Sequence, residues 1–124
     1  MKRYATSLLV MLFAAAPLAA QQMAQGTSGE TVTITGQVVD VSCFTLAGAS
    51  GAGHRECAQI CADKGIALGV LSDGTIYIPL GSGMANPMNP KFREHAEHKV
   101  TVTGTHRFTN GVHTIEVESV SAAS

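Results

Sequence analysis

The chain has no tryptophan, two tyrosines and four phenylalanines, so aromatic residues supply 5% of its 124 positions. Single-stranded nucleic acids and sugars are commonly bound on aromatic stacking platforms, and there is little here to build one. Charge is also sparse, at 14%, with only eight Lys and Arg. Two of those, Lys2 and Arg3, precede an apolar run at the N-terminus, which leaves six basic residues against nine acidic ones. A chain so poor in cations is not suited to neutralise a phosphate backbone, so nucleic acid is excluded as a partner, and an anionic membrane surface is excluded on the same ground. No phosphate-binding glycine loop or paired carboxylates occur, and no acid is evident to orient His54, which weighs against an enzyme.

Long hydrophobic runs are missing too. The longest, Leu8 to Ala16, is shorter than the roughly 20 residues that cross a bilayer. Behind Lys2 and Arg3, and ahead of the small residues Leu18-Ala19-Ala20 and the polar Gln21-Gln22, it reads as a cleaved secretory signal over residues 1–20. The mature protein is then expected to be periplasmic or secreted, with no membrane association after cleavage. A cut after Ala20 leaves 104 residues, enough for one domain. Residues 21–30 are polar and aperiodic and read as a flexible leader, 31–120 as the domain, and 121–124 as a tail.

Within the domain the patterning is mostly of period two. Val32, Ile34, Gly36 and Val38 alternate with Thr33, Thr35 and Gln37, after which Val39, Val41 and Cys43 take over the apolar phase. This predicts one long strand with a β-bulge near Gly36, carrying Cys43 on the side of Val39 and Val41. Phe44 to Gly53 reads as a flexible loop, and the residues from Cys57 to about Gly65 as a short helix with its cysteines on the buried face. Ile66–Leu71 and Thr75–Leu80 form a hairpin through Asp73-Gly74, with Leu71, Ile76 and Ile78 on one face and Val70 and Tyr77 on the other. That second face is expected to be outward, where Tyr77 would be its single aromatic. Gly81–Pro90 is a loop, Lys91–Glu97 a helical turn or two, and Val100 to Val117 a second hairpin through Asn110-Gly111.

Five strands with a helical connection between the third and fourth describe a small OB-like barrel, mainly β, here with a short helix inserted after the first strand. Val100-Thr101-Val102-Thr103-Gly104 and Ile115-Glu116-Val117 resemble the closing strands of small exported bacterial OB-fold proteins, over Thr31 to Val120. The resemblance implies an architecture and carries no ligand with it.

Cysteine is scarce and confined: Cys43, Cys57 and Cys61 are all there is, and His54 stands three residues before Cys57. On a helix His54, Cys57 and Cys61 share one face, with Cys43 approaching from a neighbouring element. Three thiolates and an imidazole have the number and chemistry of a tetrahedral zinc site, while thiolates with Met84 and Met88 in the 81–90 loop would favour copper(I). The expected function is therefore an exported metal-binding protein, structural or metal-handling, with zinc or copper at Cys43, His54, Cys57 and Cys61. An oxidising compartment also allows a disulfide from Cys43 to Cys57 or Cys61, with the third thiol left over. That alternative makes a thiol/disulfide redox protein, with Cys57 at the helix N-terminus as a reactive thiolate; a non-catalytic interaction module is the other. No feature names a protein partner or an oligomeric state. His106 and His113 are expected to meet across the last hairpin, as a second site or as rim histidines, and His95 and His98 to be solvated.

Overall fold

The computed structural model describes residues 29–124; the expected signal peptide and residues 21–28 of the expected leader lie outside the described residues. In order along the chain come β1 (Glu30–Asp40), α1 (Val41–Ala47), a 3-10 turn (Ala52–His54) leading into α2 (Arg55–Asp63), β2 (Leu68–Ser72) and β3 (Thr75–Leu80). Then follow α3 (Asn89–Phe92), a second 3-10 turn (Arg93–His95), β4 (Lys99–Thr109) and β5 (Val112–Ala122). The strands close into a barrel in the order β1-β2-β3-β5-β4. Neighbours are antiparallel except β3 and β5, which run parallel. This is the five-stranded OB-like barrel that the alternating patterns predict, with helix inserted after β1.

Both hairpins turn where Gly follows Asp or Asn. Asp73 and Gly74 have φ of 47° and 77°, and Asn110 and Gly111 have 50° and 86°, the doubly positive pair that matches the twist of the flanking strands. Val70 therefore pairs with Tyr77, Leu71 with Ile76, and Phe108 with His113. Alternation says which residues share a face and not which face is inside. Val70 is wholly buried in the barrel core and Tyr77 packs against that core, so their face is inward and not the outward platform expected.

The core is built from Val38, Leu68, Val70, Val100, Val102, Ile115 and Val117, with Phe92 of α3 and Ala62 of α2. Closure brings backbones into near contact at two glycines. A Cβ on Gly36 would collide with the Leu71 carbonyl of β2, and one on Gly104 with the Glu116 carbonyl, beside the register shift between Thr103 and Gly104. The irregularity of the barrel thus falls in β4, whereas β1 keeps continuous register with both neighbours and carries no bulge near Gly36.

The shift of apolar phase in β1 has a different cause. Pairing passes from β4 to β2 at Gln37, and from there both faces of the strand are covered. Val38 enters the barrel core while Val39, also wholly buried, lies outside that core at the end of β1 contacted by α1 and α2. Strand structure then stops at Asp40, so Val41 and Cys43 belong to a helix and not to the predicted long strand.

Candidate metal centre

Helix α1 starts because Asp40 caps it. Oδ1 of Asp40 accepts a hydrogen bond from the Cys43 amide at 2.9 Å, satisfying one of the donors left free in a first helical turn. It ends at Gly48, whose φ of 65° closes the helix in the left-handed conformation, with its N–H directed to the Cys43 and Phe44 carbonyls. Cys43 is thus fixed within one helical turn of the barrel wall, in the stretch expected to be a strand end and a flexible loop.

Helix α2 docks differently from the amphipathic expectation. Its buried residues are the small Ala58 and Ala62, Cys57 is exposed and Cys61 half-buried. Much of the polar stripe opposite the cysteines is engaged by residues 93–96, with Glu56 and Asp63 still exposed. Arg55 donates to the Ala96 and Glu94 carbonyls at 3.2 and 2.7 Å, Gln59 to the Arg93 carbonyl at 3.2 Å, and Asp63 receives a two-pronged ion pair from Arg93 at 2.6 and 2.9 Å. Asn89 completes the seam, accepting from the Leu68 amide and donating to the Ala62 and Ile66 carbonyls.

These elements bring one ligand atom each from Cys43, His54 and Cys57 within 4.8 Å of one another. A second set, Asp40, Cys43 and Cys61, meets the same limit and shares Cys43 with the first. All three cysteines are free thiols. The spacing identified the sulfurs and His54; it missed Asp40, which stood in the sequence as a polar strand residue.

It also missed Glu97. Nδ1 of His54 lies 2.9 Å from Oε1 of Glu97, whose side chain is fully buried, and Oε2 of Glu97 accepts from Gln37 Nε2 and the Gly51 amide, each at 2.7 Å. A carboxylate in this place keeps a proton on Nδ1 and leaves Nε2 for coordination, the arrangement that commonly orients a metal-bound histidine. Glu97 holds φ at 62°, unusual for a residue with a side chain, and is pinned by its own amide to the Val38 carbonyl at 2.8 Å. The acid that orients His54 is therefore present, 43 residues downstream in the segment expected to be solvated.

Electrostatics around Asp40 favour a cation. Burial pushes its carboxyl up, but the Cys43 amide, the Cys61 and Cys43 thiols and the Ser42 amide together outweigh that and hold it below its ordinary range. Contact with this carboxylate, followed by burial and the nearby negative charge, pushes the Cys61 thiol up to about 12. Burial, then the charge of Asp40, raises Cys43 as well. Thiols shifted upward are poor nucleophiles, which disfavours exchange chemistry at Cys43 and Cys61.

The other expected ligands sit elsewhere. Met88 packs against the core and Met84 is fully exposed. His106 Nε2 and His113 Nδ1 do meet, at 3.0 Å, with near-parallel rings and Tyr77 edge-on to both. Neither joins a set of three ligands among the described residues. His95 is half-buried beside Glu94, and His98 is exposed. A cleft of about 960 Å³, lined by Leu80, Met84, Asn86, Arg107 and Glu116 among others, includes none of the clustered cysteines or His54.

Comparison with protein families, curated proteins and solved structures found no match to this chain. Its chemistry is therefore read from the cluster itself.

Proposed function

We propose that this protein is exported and binds a metal ion of the zinc or copper(I) type, with Cys43, His54 and Cys57 as ligands and Cys61 alongside. The observation that carries the reading is the approach of the first three ligand atoms to within 4.8 Å of one another. Thiolate and imidazole are the donors both ions prefer, and neither ion requires an octahedral cage of oxygens. The carboxylate behind His54 supports the same reading, since it aims the ring and fixes its tautomer. A bound ion would clip α2 to α1 and thereby to the end of β1, a structural role that also suits storage or delivery of the metal.

Reduced, metal-free protein titrated with zinc, and separately with copper(I), under competition from a chromophoric chelator tests this. Retention of at least one equivalent, sharply weakened in Cys57→Ser and His54→Ala, is the expected result. Protein that yields all its metal to a weak chelator would overturn it. Export is tested by fractionating cells that express the full chain: mature protein beginning near Gln21 outside the cytoplasm is expected, and a full-length cytoplasmic product would remove that half of the proposal.

A further inference from the structure

The cluster holds two overlapping ligand sets and not one set of four. Cys57 belongs with His54 and Cys43, Cys61 belongs with Asp40 and Cys43, and no set contains both Cys57 and Cys61. The two cysteines of α2 are one turn apart, about 6 Å of rise, which separates them along the helix.

Asp40 supplies an independent reason to look for an ion on the Cys61 side. It is wholly buried, and while Oδ1 is used by the cap, Oδ2 has no hydrogen-bond partner among the described residues. A buried carboxylate oxygen without a partner is costly and uncommon in folded proteins. The Cys43 and Cys61 thiols lie beside Asp40 and offer it their weak S–H donors, but neither does so in hydrogen-bond geometry on Oδ2. None of the ion pairs among the described residues brings a Lys or Arg to the Asp40 carboxylate.

We infer that the cluster binds two zinc ions bridged by the Cys43 thiolate, one held further by His54 and Cys57 and the other by Asp40 and Cys61. The inference rests on the metal-binding reading above and sharpens it. A carboxylate oxygen is a poor ligand for copper(I) and an ordinary one for zinc, so Asp40 decides between the two metals in favour of zinc. Each ion then has three protein ligands and a fourth position free for water or an incoming donor, and Cys57 of the first set is exposed.

Zinc titration of the reduced protein followed by native mass spectrometry tests the stoichiometry. The wild type is expected to hold two zinc ions, and Asp40→Asn and Cys61→Ser one each. Asparagine caps a helix about as well as aspartate, so Asp40→Asn leaves α1 in place, and Cys61→Ser tests the same ion without touching the cap. Circular dichroism of both metal-free variants checks that they fold. Saturation of the wild type at one zinc, unchanged by Asp40→Asn, would overturn the second ion and leave the one-ion reading standing; no zinc at all would remove both. A second zinc that survives Asp40→Asn and Cys61→Ser but is lost in His106→Ala would place it on the hairpin histidines, and so would also overturn the inference.

Discussion

Among the described residues Glu97 forms an ion pair only with His54, yet its two oxygens accept from three donors. Replacing it with glutamine keeps the shape and removes the charge. The amide nitrogen then stands in place of one oxygen, facing either His54 or Gln37 and the Gly51 amide, which already donate there, so at least one contact turns repulsive. Glu97→Gln is expected to weaken zinc binding about 10- to 100-fold in chelator competition, without any ligand having been changed. Nothing near Glu97 in the sequence signals this role. His95, Glu97 and His98 look like an ordinary polar connection, and the residue that gives Glu97 its meaning is 43 positions away. The clustered cysteines and His54 were legible because thiol and imidazole chemistry is rare enough to announce itself by residue type, whereas Asp40 was not. Their orienting carboxylate was not, because acidic residues are common and only burial sets this one apart.

Among the elements, α1 shows how a short helix can be read as strand. Val39 and Val41 continue an alternation that began in β1, but the signals of a helix were also there, an aspartate at 40 and a glycine at 48 bracketing a helix of seven residues. Substituting Asp40 with alanine removes the cap but also the buried unpartnered Oδ2, so the metal-free protein is expected to lose less than the roughly 1 kcal/mol of an ordinary cap, measured by urea unfolding. The turns and the pairing next to them were legible, since Asp-Gly and Asn-Gly fix the local register, but not the inward side of Val70 and Tyr77 nor the register shift beyond Gly104. The seating of α2 was not, because its polar stripe packs on backbone carbonyls of residues 93–96 that no periodicity can anticipate. One contact of that seam carries a pH signature. Hydrogen bonding and charge from Arg93 lower the pKa of Asp63. A carboxyl lowered in the folded state contributes stability above its unfolded pKa and loses it as pH falls through the lowered value. The gap in melting temperature between wild type and Asp63→Asn is therefore expected near neutral pH and should vanish in strong acid; because both side chains are about half exposed, it should also shrink with added salt.

For the whole molecule, the barrel and the helical insert are held by different kinds of force. The barrel buries Val38, Leu68, Val70, Val100, Val102 and Ile115 together with Phe92, and Phe92→Ala is expected to cost about 3–5 kcal/mol of global stability by leaving a cavity that the surrounding strands cannot fill. Between Asp40 and Leu68 the wholly or nearly buried residues are only Ala58 and Ala62, which together remove little apolar surface from water. Caps, carbonyl contacts and the cysteine cluster hold the rest. Asp40 stands at the boundary between these two regimes, being the last residue of β1, the cap of α1 and a member of the ligand cluster. Its position makes the insert a separable opening unit, whose amides should exchange with deuterium at rates governed by the ion while those of β4 and β5 do not respond. In that sense the wall of the barrel ends in a latch: with zinc present, slow exchange should extend past residue 40 through α2, and on chelation it should retreat to β1.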